Sequence, residues 1–392
     1  MTPTEIDAAT SAYIDSLGPE ALAKAAAYTM GNHWLMLGGL LFSAVVTFLI
    51  VRSGMLVRLE GRFGPRSSRG IFLIGAVYTV LSTLFTLPWT LYESWWRETN
   101  FGRTSQPLGD YLSQAAIGTG ISAIVLSIFF VLVYFLIRRA ERTWWIWSGG
   151  LVAAFISVLL LLGPVLIEPL FNSYEPVPEG EVRTALEAMA AEADIPADRI
   201  FMFDGSRQSN NFTANVSGIG SSARIAISDI AIGGATLDEV KAVTGHEIGH
   251  YVLGHIWRIV VTLSGLAIVL FFVSDLIFAP VARFFGASGN IADPSSLPVL
   301  IFVLGFFSTL AQPVQNAVVR MGETEADRYS LETVNLPDAL ASALVKTAEY
   351  RDPRPHPLQE ALFYTHPSVE RRVHMAMEWK AANGQTPPQS GT

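Results

Sequence analysis

Two histidines one helical turn apart, with a glutamate beside the first, are the residues of this sequence best spaced for chemistry: His246-Glu247-Ile248-Gly249-His250. On a helix, positions four apart share a face, so both imidazoles reach one ion while Glu247 stands beside it without being a ligand. A catalytic zinc site needs three protein ligands and an open position for water, so the motif requires a third donor elsewhere. The chain has no cysteine, which removes thiolates and disulfides and leaves His, Asp and Glu. The best donors lie in Arg320-Met321-Gly322-Glu323-Thr324-Glu325-Ala326-Asp327. Glu323 and Asp327 share a helix face, so one carboxylate can bind the metal while the other hydrogen-bonds a ligand histidine. A solvated acidic helix end is the plainer reading of that pair, and Glu325, on another face, keeps it. His255 would permit a three-histidine scheme, but that scheme leaves the Glu323 segment unused. Bound zinc lowers the pKa of a water to about 7, and Glu247 can take the proton, then pass it to a leaving amine as a peptide bond is cut.

These residues must be positioned by a chain of unusual composition. Of its 392 residues 51% are hydrophobic and only 15% charged, outside the range of soluble globular domains. Six stretches, 31–51, 71–92, 117–137, 145–167, 258–279 and 298–319, are long and apolar enough for a bilayer core, which needs about 20 helical residues. The expected architecture is mainly α, with residues 31–167 forming four transmembrane helices and 257–319 two more. Between them, residues 168–256 switch to soluble-domain periodicity and read as an inserted α+β catalytic domain. It has a helix over Glu181–Ala193, strands at Arg199–Phe203 and Ala223–Ser228, a Ser/Asn/Gly-rich connection between them, and a helix over Leu237–Gly254 carrying the motif. Residues 320–380 continue the catalytic part and 381–392 read as a disordered tail. Residues 1–30 contain an amphipathic helix, with Ile6, Ala9, Tyr13 and Leu17 on one face, expected at the surface or membrane interface. The N-terminus lacks the basic region and early apolar stretch of a cleavable signal peptide. A net charge of −8 without a basic tract excludes the electrostatic footprint of a nucleic-acid binder.

From about Leu37 to Arg372 the chain resembles the type I CAAX prenyl endopeptidases, integral-membrane zinc proteases. Besides the histidine motif, the likeness rests on Leu87-Pro88-Trp89 with Leu91-Tyr92, Glu98 and Phe101-Gly102, on Pro169-Leu170-Phe171, and on Pro178-Glu179-Gly180. It continues through Gly205-Ser206-Arg207, Ala214 to Gly218, Arg224-Ile225 with Asp229, Arg320 with Glu323 and Ala326-Asp327, and Tyr364-Thr365-His366-Pro367 with Arg372. The resemblance implies one Zn2+ on His246, His250 and Glu323, Glu247 as base, Asp327 behind a ligand, and His366 and Arg372 stabilising the tetrahedral intermediate. It implies a substrate strand at Thr213, Ala214 and Asn215, and a polytopic helix bundle around a chamber with the inserted metallopeptidase domain at one end. Two departures stand out: members often have one further N-terminal membrane helix, and they commonly carry Asn where this chain has Thr213.

The expected partners are a peptide or protein substrate, prenylated or membrane-associated, and the lipid bilayer, with the enzyme monomeric. A compact length and the missing first helix suggest a bacterial inner membrane, which leaves the native substrate open. Arginine-rich loops 52–70 and 138–143 would be cytoplasmic by the positive-inside rule, leaving the catalytic part outside. The resemblance implies a cytosolic catalytic part, and the expectation follows it. The alternatives from other classes are a non-proteolytic scaffold or chaperone that retains the metal, against which the intact Glu247 argues, and a lipid or small-molecule hydrolase.

Overall fold

The structure, a computed structural model, describes residues 1–218, 220–347 and 351–383. Thr2 caps the first helix, α1 (Pro3–Asp15), by a reciprocal pair of bonds with Glu5. Gly18 at φ +79° and Pro19 then break the chain before α2 (Gly18–Arg52). The segment expected as one amphipathic helix is therefore two, and its second half starts the first long helix. After α3 (Met55–Phe63) comes α4 (Ser68–Thr90), which contains Pro88 and passes through a wide turn, Leu91–Trp96, into α5 (Arg97–Asn100). Proline removes one rung of the hydrogen-bond ladder, and the ladder resumes with a looser turn. Next come α6 (Leu108–Arg139) and α7 (Trp144–Leu162).

The inserted part holds a four-stranded sheet of order β1-β2-β4-β3, made of β1 (Tyr174–Pro176), β2 (Ile200–Phe203), β3 (Ala214–Ser217) and β4 (Arg224–Ser228). β2 and β4 are parallel and the outer pairs antiparallel, so β3 is an edge strand, lying within the Ser/Asn/Gly-rich connection where the family resemblance, though not the periodicity, implied a strand. Its helices are α8 (Glu181–Glu192), α9 (Asp229–Gly234) and α10 (Leu237–Val252). Leu186 and Ala190 of α8 close on Ile200, Ile225, Ile227 and Ile248 to form its core.

The chain then enters α11 (His255–Phe285) and α12 (Leu297–Thr333), followed by α13 (Pro337–Lys346), α14 (Pro357–Phe363) and α15 (Val369–Asn383). Among the described residues six helices are long and apolar enough to cross a membrane, and each contains one of the six apolar stretches. α12 runs unbroken from membrane length into the polar segment, so Glu323 rides on the same rod as the sixth span. The tail expected as disordered starts inside α15, and residues 384–392 lie outside the described residues.

The bundle is packed at one end only. Val46, Ile74, Phe130, Tyr134, Trp144 and Phe271 form a solid core there, continued by Phe278, Phe285 and Leu300. Nearer the catalytic part, residues 36–45, 80–96, 107–122, 150–170, 261–270 and 304–315 include no buried residue. A helix on a solid core buries one face. Here no residue is fully buried, although neighbouring helices still touch, as Phe42 does on Trp89 and Phe155 on Phe129. At that end, α1 places Ile6, Ala9, Tyr13 and Leu17 against Leu331, Leu340, Val373 and Met377. The amphipathic face expected at a membrane interface is thus spent on packing the C-terminal helices.

Candidate metal centre

The motif helix begins at a second reciprocal cap. Thr236 accepts from the Glu239 N–H and Glu239 accepts from the Thr236 N–H at 2.8 Å. Glu239 is itself held by Lys346 at 2.6 Å and Ser342 at 2.7 Å, tying α10 to α13. Two glycines let α10 lie directly on α12. A Cβ at Gly245 would come within 2.6 Å of Val334, and one at Gly249 within 3.1 Å of the Ala326 Cα. Ser330 also donates to the Ala242 carbonyl at 2.7 Å across this seam.

That contact brings the ligand candidates together. The Nε2 atoms of His246 and His250 are 3.1 Å apart, and each is 3.4 Å from an oxygen of Glu323. The three can offer donor atoms to one metal ion. Glu323 Oε2 is buried with no hydrogen-bond donor, an expensive state unless a cation satisfies it. Burial opposes charge on His246, yet Asp327 and Glu323 push its pKa up to about 10. The surroundings of that ring therefore favour a positive charge.

Each histidine is braced behind the site. With Nε2 turned inward, His246 Nδ1–H donates to Asp327 Oδ1 at 2.8 Å. Asp327, fully buried, receives two bonds from Arg372, Nε at 2.7 Å and Nη2 at 2.6 Å. Arg372 therefore turns its fork to Asp327 and lies 3.8 Å from Glu323. On the other side His250 Nδ1 meets His255 Nδ1 at 2.8 Å, and His255 Nε2 meets Glu325 at 2.8 Å, with Arg258 on the same carboxylate at 2.7 Å. One proton order satisfies this row: His250 Nδ1–H donates to His255, whose Nε2–H donates to Glu325. His255 and Glu325, set aside in the sequence, thus form a second brace. Their five- and two-residue offsets from His250 and Glu323 carry no motif, and only the crossing of α11 and α12 unites them.

Glu247 makes no hydrogen bond or ion pair among the described residues, and its carboxyl is pushed above the usual range by burial, against the pull of both histidines. His366 enters from the loop before α15, its Nε2 3.3 Å from Glu323 Oε1 and its Nδ1 2.8 Å from the Thr365 hydroxyl. Arg320 fixes that loop by donating to the carbonyls of Glu360, Ala361 and Tyr364, and Asn316 donates to Leu362. Burial, with Arg351 and Arg372 adding positive charge against Glu323, pushes His366 down to about 3, so the ring is neutral at ordinary pH.

The strand residues make no hydrogen bond to the ligands among the described residues, although β3 packs against α10. Ala214 pairs with Ile227 and Asn215 with Ala226, leaving the other edge of β3 unpaired among the described residues. Thr213 N–H donates to Ser228 at 3.2 Å, and the carbonyl oxygens of the Asn211 and Asn215 side chains are buried without donors. Asn210 is a strut to the α5–α6 loop, bonded to the Gly102 carbonyl at 2.9 Å.

Comparison with known proteins matches residues 176–380 to the model of peptidase family M48 and residues 7–173 to the CAAX prenyl protease N-terminal model, described as five membrane helices. This chain has four membrane-capable helices in that stretch. An uncharacterized metalloprotease of Bacillus subtilis, YhfN, is 27% identical, covering 91% of this chain and 86% of that protein. CAAX prenyl protease 1 of Saccharomyces cerevisiae is 27% identical, covering 75% of this chain and 69% of that one. The crystal structure of S. mikatae Ste24p superposes with a TM-score of 0.67 at 23% identity, covering 77% of this chain and 74% of the other.

Proposed function

The chain belongs to peptidase family M48 and is an integral-membrane metalloprotease, and from that premise we propose that it is a zinc-dependent endopeptidase with the metal on His246, His250 and Glu323. The observation that carries the reading is the cluster of donor atoms, the two Nε2 atoms 3.1 Å apart with Glu323 Oε2 3.4 Å from His246 and Oε1 3.4 Å from His250. Ligands at about 2.0–2.1 Å on a tetrahedral zinc stand roughly 3.3–3.4 Å from each other. Nitrogen and oxygen donors and an orphaned carboxylate oxygen suit that ion.

Bound there, zinc supplies a Lewis acid that acidifies a water and polarises a carbonyl. Glu247, unpaired and beside both histidines, accepts the proton of the attacking water and returns it to the leaving amine. Asp327 with Arg372, and His255 with Glu325, hold the two rings with Nε2 inward. His366, neutral and oriented by Thr365, donates through Nε2–H to the oxygen that gains charge in the transition state. A peptide laid along the free edge of β3 would be held by main-chain hydrogen bonds in extended form.

The relatives' names supply the substrate class, so the substrates proposed here are peptides or proteins at the membrane, prenylated ones among them. A cytosolic catalytic part belongs to the same proposal, supported by the resemblance to the CAAX prenyl endopeptidases. A scaffold that merely retained the metal would have no use for an unpaired Glu247 beside both histidines.

The test is hydrolysis of an internally quenched peptide by the purified protein, with metal stripped by chelator and zinc restored. Activity should vanish on stripping and return near one zinc per chain. Cleavage that survives complete metal removal would refute the proposal.

A further inference from the structure

Beside the metal centre, the cation Arg351 has no counterion among the described residues. Arg351 lines a cavity of about 210 Å³ with Thr29, Asn32 and His33 of α2, Gln312 of α12, and Tyr364 and Thr365. Among the described residues its guanidinium makes no ion pair or hydrogen bond and feels charge only from farther off, Arg372 and Arg103 opposing it and Glu323 and Tyr364 favouring it. Among the described residues, the acids nearest to it are already engaged. Asp352, next in the chain, accepts from the Arg354 N–H at 3.0 Å, and Glu323 faces His246 and His250. Asn32 and Gln312 also have side-chain amides without a partner among the described residues. A mostly buried cation left unpaired is costly, and burial pushes Arg351 down to about 10, so it remains charged at neutral pH. An anion entering the cavity would relieve that cost.

The position of the cavity says which anion. Thr365, in its wall, precedes His366, whose Nε2 is 3.3 Å from Glu323. The cavity therefore abuts the loop that brings His366 to the metal centre. We propose that the cavity is a carboxylate subsite in which Arg351, helped by Asn32 and Gln312, binds a carboxylate of the peptide substrate. That carboxylate is either the chain terminus or an acidic side chain near the cleaved bond. The inference rests on the peptidase reading above and adds to it a basis for substrate choice.

Three fluorescent peptides of one core sequence separate the possibilities: the free C-terminal acid, its C-terminal amide, and the amide with one glutamate near its end. Anisotropy titration against the full-length protein in detergent reads binding without requiring turnover, so a failure of the peptidase reading would leave this test intact. The wild type should bind the acid, or the glutamate amide, about 10- to 100-fold more tightly than the plain amide. Arg351→Gln should lower affinity for the acidic peptides to that of the plain amide, and Arg351→Lys should restore part of the difference, with zinc content unchanged in both. If cleavage is measured as well, the loss should appear in KM rather than kcat. Indifference of the wild type to all three peptides, or an unaltered acid preference in a zinc-loaded Arg351→Gln protein, would overturn the assignment.

Discussion

At the centre each ligand histidine is aimed by a different device, a buried ion pair for His246 and a second imidazole for His250. The difference has measurable consequences. His255→Ala should leave the fold intact and weaken zinc about 10- to 100-fold in a chelator competition, the usual cost of losing an outer partner. Unchanged affinity would return His255 to a packing role. Arg372→Ala strands the fully buried Asp327 carboxylate, so it should cost about 3–5 kcal/mol of stability. Asp327→Ala combined with Arg372→Ala should cost less than the sum of the two, and additivity in thermal unfolding would argue against the pair. The sequence made His246, His250, Glu247, Glu323 and Asp327 legible because each sits at helical spacing from another. His255, Glu325, Arg258 and Arg351 were not legible, since what joins them is the crossing of helices far apart in sequence. For Arg372, the sequence pointed to the site but not to Asp327 as the partner of its fork.

Among the elements, α10 and α12 carry most of the geometry. Gly249→Val would place branched carbons where even a Cβ lies 3.1 Å from Ala326, so α10 should move off α12 and zinc content should fall, while a surface change such as Glu192→Ala leaves it unaltered. Full zinc occupancy in Gly249→Val would mean that this seam is not what sets the ligand cluster. The cap of α10 adds a pH-dependent contribution. Burial works against the charge of Glu239, but Lys346, Ser342 and Thr236 hold its carboxyl below the ordinary 4.5. A lowered carboxyl stabilises the fold above the unfolded value and loses that contribution as pH falls through the folded one. The stability difference between wild type and Glu239→Gln should accordingly be full at pH 7 and shrink below pH 4.5. A difference independent of pH would show that packing, not charge, is responsible. Helix existence was readable from apolar runs and capping residues, whereas β3, a four-residue edge strand in a polar segment, has too little periodicity to announce itself.

For the molecule as a whole, the six membrane-capable helices put α1, the sheet, α10 and α15 at one end of the bundle and loops 52–70 and 138–143 at the other. The looser packing of the helices at the catalytic end was not readable from periodicity, because an apolar helix facing lipid and one facing a loosely filled interior share a composition. In this cysteine-free chain, single cysteines at Glu192 and Glu378 should be labelled from the same side and one at Glu141 from the opposite side. Labelling of Glu192 and Glu378 positions from different sides would refute the topology, and the side itself decides between the arginine-rich loops and the family analogy. The central claim, that this architecture delivers Glu247 to a metal-activated water, is tested most directly by the turnover per bound zinc of Glu247→Gln. The amide keeps the shape of the side chain but cannot take the proton, so the variant should hold about one zinc per chain, as wild type does, and cut peptide at least roughly 100-fold more slowly. A zinc-loaded Glu247→Gln protein that cleaves at the wild-type rate would contradict it.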